Sequence, residues 1–267
     1  MPASVTLRLF PRSLPDYLPY LGEAVRALIY DSMRQSSPEF AARIHADNDY
    51  KPFVASAPIP PRRRQAQAGA DPKTPAEDVP WAIRCGCLDE ELADALIIGL
   101  WERYSGGESI RLGPAHFGFA NPPWKVTHVA GYHDLMQAPP KREWQFRFLS
   151  PTAVTSRGRP IPLPVPDLVF RGLAIKWNMV APAELRLPEE IVDEMPDRME
   201  LTACKGESRV VRLTSHGETG FRGSATFRVT GTDGRIARAA ALMARFAGYS
   251  GVGRKTTVGM GQVVVEG

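Results

Sequence analysis

The chain has 267 residues, 43% hydrophobic and 23% charged, with a formal net charge of +4: an ordinary globular composition that permits an anionic partner without demanding one. No apolar run approaches the ~20 residues of a membrane span, and the opening "MPASVTLRLFPR" lacks the charged-then-apolar plan of a signal peptide. Three cysteines suit a reducing compartment and argue against a disulfide framework.

Ser4–Phe10 alternates Val5, Leu7 and Leu9, which predicts a strand with one buried face. "YLPYLGEAVRALIYDSM" follows as an amphipathic helix with Leu21, Val25, Leu28 and Ile29 on one side. Ser37 as N-cap, Pro38 at the first helical position and Glu39 in the first turn predict a second, short helix to about Ile44. "YKPFVAS" and Trp81–Cys87 are strands. The alternation in the latter puts Cys85 and Cys87 on one face, at a spacing too narrow for a zinc ligand pair. Between these strands, Ser56–Pro80 is rich in proline, alanine and charge, and is expected to form a loop whose Arg62, Arg63 and Arg64 are available to phosphates or simply solvated. Asp89–Tyr104 is a helix ending at Gly106-Gly107, and "SIRLGPAHFGFA" and "WKVTHVAG" complete the half with strands.

The second half repeats the plan. "EWQFRFLSP" is a strand and "PVPDLVFRGLAIKWNMV" a proline-led amphipathic helix. "RVVRLTS" and "GFRGSATFRVTG" are two further strands. "DGRIARAAALMARFAGYS" is a helix that Gly248 is expected to terminate, and "TTVGMGQVVVEG" is the last strand. Each half therefore has the order β-α-β-β-α-β, the split unit of ferredoxin-like domains. The predicted fold is α+β with two such domains in tandem, residues 1–136 and 137–267, joined by the proline- and charge-rich stretch near Gln137–Arg142.

The final segment "GYSGVGRKTTVGMGQVVVEG" is not a phosphate-binding P-loop. Gly248 and Gly253 have the right separation, but Arg254 displaces Lys255-Thr256 by one position, and a helix precedes the loop where a strand should. A dinucleotide fingerprint fails because Thr256 stands where its third glycine belongs. Glycines at 251, 253, 259 and 261, with Arg254 and Lys255 among them, instead suit either close approach of backbone N–H groups to a sugar-phosphate chain or a tight structural connection.

Gly251-Val-Gly253-Arg-Lys-Thr-Thr-Val-Gly259-Met-Gly261 resembles the C-terminal glycine signature of the RAMP superfamily of CRISPR-associated proteins: G-h-G, five residues including Lys or Arg, then G-h-G, with h apolar. Within that superfamily the chain is most similar to the CRISPR repeat-processing endoribonucleases. "FLSPTAVTSRGRPIPLPVPDLVFRGLAIKWNMVAP" also resembles the start of their second domain. The resemblance implies two ferredoxin-like domains, a cytoplasmic protein, CRISPR repeat RNA in precursor transcripts as substrate, and no cofactor. Other CRISPR effector proteins and a second copy of the chain are the further partners it suggests. It also implies RNA binding through Gly251, Gly253, Arg254, Lys255, Gly259 and Gly261. The signature is shared by non-catalytic members, so a guide-RNA-binding subunit is the alternative.

Cutting RNA without metal requires moving a proton from a 2′-hydroxyl and stabilising a charged phosphorane, work suited to histidine and to lysine or arginine. Of the five histidines, His45 closes the short helix, Lys51 opens the next strand in "KPF", and Tyr30 lies near the end of the preceding helix. The resembled nucleases use a Tyr, His, Lys set in this order and near this spacing, which implies Tyr30, His45 and Lys51 as catalytic residues; Tyr50 is a rival to Tyr30. His116 is expected in a loop, His128 and His133 about a Gly-Tyr turn, and His216 in a hairpin. Neither these nor Asp47-Asn48-Asp49 provide a coherent metal-ligand set.

Overall fold

The computed structural model describes residues 1–47, 50–61, 79–137, 139 and 141–266. Arg62, Arg63 and Arg64, and Asn48-Asp49, lie outside the described residues.

The first half builds strand β1 (Ala3–Ser13), helices α1 (Gly22–Ser36) and α2 (Pro38–Ala46), strands β2 (Phe53–Ala55) and β3 (Trp81–Cys87), helix α3 (Glu90–Ser105), and strands β4 (Ile110–Leu112) and β5 (Ala115–Val129). Its five strands are ordered β2-β3-β1-β5-β4. With β4 set aside as a short hairpin arm, that is the ferredoxin-like arrangement, with β1 central and antiparallel to both β3 and β5. Alternation decides which face is covered: Val5, Leu7 and Leu9 are buried against α1 and α3, while Ser4, Thr6 and Arg8 point to the other side. α1 contributes Val25, Leu28, Ile29 and Met33, an i, i+3, i+4, i+8 stripe. α3 starts where Asp89 accepts a hydrogen bond from the Leu92 backbone N–H at 3.0 Å.

After the short helix α4 (Tyr132–Met136), the second half runs β6 (Glu143–Thr152), the small hairpin β7 (Val154–Ser156) and β8 (Arg159–Ile161), α5 (Pro166–Val180), α6 (Glu189–Asp197), β9 (Met199–Arg212), β10 (Gly217–Val229), α7 (Gly234–Ser250) and β11 (Val263–Glu266). The sheet order β11-β6-β10-β9 repeats the plan of the first half. α5 and α7 cover its apolar face around Trp144, Phe146, Phe170, Trp177, Phe227 and Phe246. Among the described residues no helix is long and apolar enough to cross a membrane.

Several elements differ from their sequence expectations. α1 starts at Gly22 rather than near Tyr17, because Pro19 lies in the approach and restricts the residue before it. Ser37 precedes α2 but makes no side-chain cap. The two strands expected around Asn121-Pro122-Pro123 are one, β5, and His116 lies in it rather than in a loop. The register shift between Leu7 (opposite Trp124) and Leu9 (opposite Phe119) takes up the intervening residues as a bulge. Gly248 does not end α7. The helix continues to Ser250, and Gly251, at φ 61, turns the chain out of it.

Candidate functional site

Tyr30, His45 and Lys51 come together at one end of the first domain. The Tyr30 and His45 rings meet edge to face with centroids 5.3 Å apart at 69°. On its other side Tyr30 packs against buried Phe53, at 5.5 Å and 83°. The phenol is thus held between the end of α2 and the start of β2, with the His45 imidazole exposed beyond it. Burial pushes the Tyr30 hydroxyl above its ordinary pKa; Arg26 opposes the shift and Asp47 adds to it. The group therefore remains a protonated donor at neutral pH. Tyr50 is turned elsewhere, against the second-domain core, with its hydroxyl buried.

Lys51 does not present a free ammonium group. Its Nζ donates to the carbonyls of Ile44 at 2.7 Å and His45 at 2.9 Å, and also to that of Asp47. These are carbonyls at the C-terminal end of α2, where a cation satisfies unpaired acceptors and opposes the helix dipole. The sequence reading missed Arg26. It is exposed on α1, one turn before Tyr30, and acts electrostatically on the phenol. The i, i+4 spacing on a helix already marked by Tyr30 was the available signal.

The glycine loop connects α7 to β11 and passes through a short 3-10 turn, Thr256–Val258. Gly251, Gly253, Gly259 and Gly261 all have positive φ, and Lys255 is left-handed at φ 56. The room left by their missing side chains is filled by the protein itself. A Cβ on Gly253 would stand 2.2 Å from the Ala153 carbonyl oxygen, and one on Gly259 would stand 2.8 Å from the Ala57 nitrogen. Backbone donors are also consumed: Arg254 N–H bonds Ala153 O at 2.9 Å, and Val252 N–H bonds Gly261 O at 2.9 Å. Gly251, Gly259 and Gly261 are buried, so the accessible part of the loop is the turn 253–257 with the side chains of Arg254 and Lys255. The glycines shape and seat the turn more than they open it.

Its seat is the first domain. A Cβ on Gly22, in the first turn of α1, would lie 1.8 Å from the Val258 carbonyl oxygen. Next to it, the Glu23 carboxylate accepts from both the backbone N–H and the hydroxyl of Thr214, each at 2.7 Å. The Thr214 hydroxyl, foremost, holds that carboxyl below its usual pKa. One helix therefore carries the loop at its start and Tyr30 about 12 Å further along its axis, at 1.5 Å per residue. A cavity of about 630 Å³ opens between the uncovered face of the first sheet and α7 with β11, lined in part by Arg84, Lys141, Arg245 and Tyr249. Among the described residues no three His, Cys, Asp or Glu side chains gather as a metal site.

Residues 146–263 match the family described as CRISPR-associated endoribonuclease Cas6. In a Mycobacterium tuberculosis protein named CRISPR-associated endoribonuclease Cas6, 128 residues align at 34% identity, covering 48% of this chain and 40% of that protein. A Streptococcus thermophilus protein of the same name is 29% identical over 119 residues, 45% of this chain and 49% of that one. The aligned sequence thus spans less than half the length of these curated relatives. Structural likeness extends over the whole chain. A Cas6 product complex superposes with a TM-score of 0.76 at 27% identity, covering 100% of this chain and 99% of that one. Thermus thermophilus Cas6 gives 0.71 at 25%, covering 100% and 98%.

Residues 146–263 are Cas6-like in sequence, and the fold of the whole chain is that of Cas6 structures.

Sequence similarity to Cas6 is concentrated in the second domain and its glycine loop. Tyr30, His45 and Lys51 fall before the matched residues, so the case for them rests on their own geometry. The Cas6 fold nevertheless covers both halves.

Proposed function

We propose that this protein is a metal-independent endoribonuclease that cuts CRISPR repeat RNA in precursor transcripts to release guide RNAs. The observation that carries the reading is the contact between Tyr30 and His45, which fixes an exposed imidazole at the end of α2. It is supported by the likeness to Cas6 structures described as a product complex and a substrate-mimic complex.

In this reading the 2′-oxygen attacks the adjacent phosphorus, the P–O5′ bond breaks, and the products are a 2′,3′-cyclic phosphate (or 3′-phosphate) and a 5′-hydroxyl. His45 moves the proton. The Tyr30 hydroxyl donates to the reacting phosphate or orients the imidazole. Arg26 supplies positive charge to the phosphorane from the exposed face of α1. Lys51 serves the reaction by securing the helix end that bears His45, rather than by touching RNA. Arg254 and Lys255 hold the substrate backbone from the loop seated on the same helix. The chain divides between residues 136 and 137, so that hydrolytic residues come from the first domain and grip from the second. The reaction takes place in the cytoplasm, where the transcript is made.

The test uses purified protein and end-labelled RNA of its own CRISPR repeat, with EDTA present and the product ends mapped. Cleavage at one position, leaving a 5′-hydroxyl, is the expected result. Activity that requires magnesium or manganese would overturn the mechanism. Tight binding without cleavage would favour a guide-binding subunit.

A further inference from the structure

Glu218 on β10 is a buried charged side chain, 4% exposed. Burying a carboxylate costs several kcal/mol unless close partners compensate. Its partners here are not close. Oε2 faces His216 Nε2 at 3.4 Å, and Oε1 faces Arg254 Nε at 3.5 Å. Oε1 is enclosed without a hydrogen-bond partner. Both basic side chains are themselves partly exposed, His216 at 45% and Arg254 at 34%. The carboxylate therefore lies beneath two basic groups that reach the surface. A buried polar group left short of partners calls for an explanation other than stability.

The two basic groups are fixed from below and at the side. The Arg254 main chain is pinned to Ala153, and its ion pair is made through Nε. The remaining guanidinium N–H groups lie beyond that contact. His216 Nδ1 stands 2.8 Å from Ser215 Oγ, so one chain runs Ser215–His216–Glu218–Arg254. The Ser215 hydroxyl both donates and accepts, so with Nδ1 on one side it can turn its other valence to an outside oxygen. Such an arrangement fits a tetrahedral anion with several oxygens, presented next to the accessible turn of the glycine loop.

We propose that Ser215, His216 and Arg254 form a site for an RNA backbone phosphodiester, with buried Glu218 as the positioning residue that aims it. The inference rests on the RNA-binding part of the proposed function and adds residues from the β9–β10 turn to the loop.

This makes an unusual prediction. Removing a negative charge near RNA ordinarily strengthens binding, because it raises the net positive charge. Here Glu218→Gln should weaken it, by roughly tenfold, the size of one charge-assisted contact. The probe is the CRISPR-repeat RNA of the host with a 2′-deoxy substitution at the scissile nucleotide, titrated across a salt series. Arg254→Met should reduce the slope of log affinity against log salt by about 0.7–0.9, one phosphate contact. In the Arg254→Met background Glu218→Gln should have little further effect, whereas with Lys255→Met it should add. Exposed His216→Ala probes the same site without disturbing the core, and should also lower affinity. Glu218→Gln protein that melts normally and binds as tightly as wild type, or more tightly, overturns the inference. So does an undiminished Glu218→Gln effect in the absence of Arg254. Wild-type protein that fails to bind the repeat removes the functional reading as well, and so separates the two failures.

Discussion

The His45 imidazole meets the Tyr30 ring edge to face, and Tyr30 meets Phe53 in the same way on its other side: three aromatic groups from α2, α1 and β2 in one stack, with the imidazole outermost. Replacing His45 with alanine should remove the proton-transfer group and leave the stack's inner pair in place. Single-turnover cleavage should fall by about 10²–10⁴-fold, the usual contribution of general acid–base catalysis, with RNA affinity retained. Tyr30→Phe keeps both ring contacts and should cost far less than Tyr30→Ala, which removes the support of the imidazole. Equal rates for His45→Ala and wild type would end the assignment.

Lys51→Met should act through structure. Losing the ammonium group removes the cation that the carbonyls of Ile44, His45 and Asp47 share at a helix end. The expected loss of stability is about 0.3–2 kcal/mol, read as a lower melting temperature, together with slower cleavage as His45 loses its fixed position. Arginine at 51 should restore part of both. By contrast, Arg26→Gln should slow cleavage with no change in melting. If Lys51→Met slows cleavage while the melting temperature stays unchanged, Lys51 touches the substrate after all.

Gly22→Ala should disrupt the seat of the glycine loop. The new methyl group would be driven into the Val258 carbonyl, and overpacking of this kind typically costs about 1–3 kcal/mol. Thermal denaturation should register the loss. RNA affinity should fall with it, although position 22 is far from Arg254 and Lys255 in sequence. An alanine variant with wild-type melting and affinity would show that the two surfaces can separate without consequence.

Lys176 on α5 gives a pH prediction. Its ammonium group is 3.4 Å from the carbonyls of both Ser250 and Gly251, at the root of the loop, and burial pushes its pKa down to about 8. An unfolded lysine titrates near 10.4. Between these values the unfolded chain holds a proton that the folded chain has released, so stability rises with pH across the window. The gain is complete above the unfolded value and is lost as pH falls through about 8. Melting temperatures of wild type and Lys176→Met, compared from pH 7 to about 10.5, should therefore diverge in favour of wild type as pH rises. A constant difference would contradict the shift.

The elements legible in the sequence are those with one wet and one dry face. β1 has clean periodicity because alternate side chains, Val5, Leu7 and Leu9, lie against the core of the first half. β9 extends from Met199 to Arg212, but only its end near "RVVRLTS" was readable. As an edge strand with residues 200–210 exposed on both faces, it carries no alternation to detect. β5 was divided at its prolines, yet beyond Ala115–Phe117, where it pairs with β4, it has β1 alone beside it among the described residues, and a one-sided stretch tolerates residues that cannot donate. Helices α4 and α6 are too short, and α6 too acidic at its start, to stand out. Within the candidate site, Tyr30, His45 and Lys51 could be named from their resemblance to the Tyr, His, Lys order of the repeat-processing nucleases, but the engagement of Lys51 with helix carbonyls could not. Glu218 sits among polar residues in "SHGETG", and nothing local announces that the fold encloses it.

The central position of β1 has a consequence for how the protein is made. Ala3 pairs with Cys87 on one side and Val129 on the other, so the middle strand is synthesised before either neighbour exists. One hydrogen-bonding edge must wait for β3 and the other for β5, more than a hundred residues further along the chain, the condition under which slow, long-range strand pairing exposes sticky intermediates. α1 is the first element available to shield Val5, Leu7 and Leu9 in that interval. The helix that later seats the glycine loop and carries Tyr30 is also positioned to guard the nascent sheet.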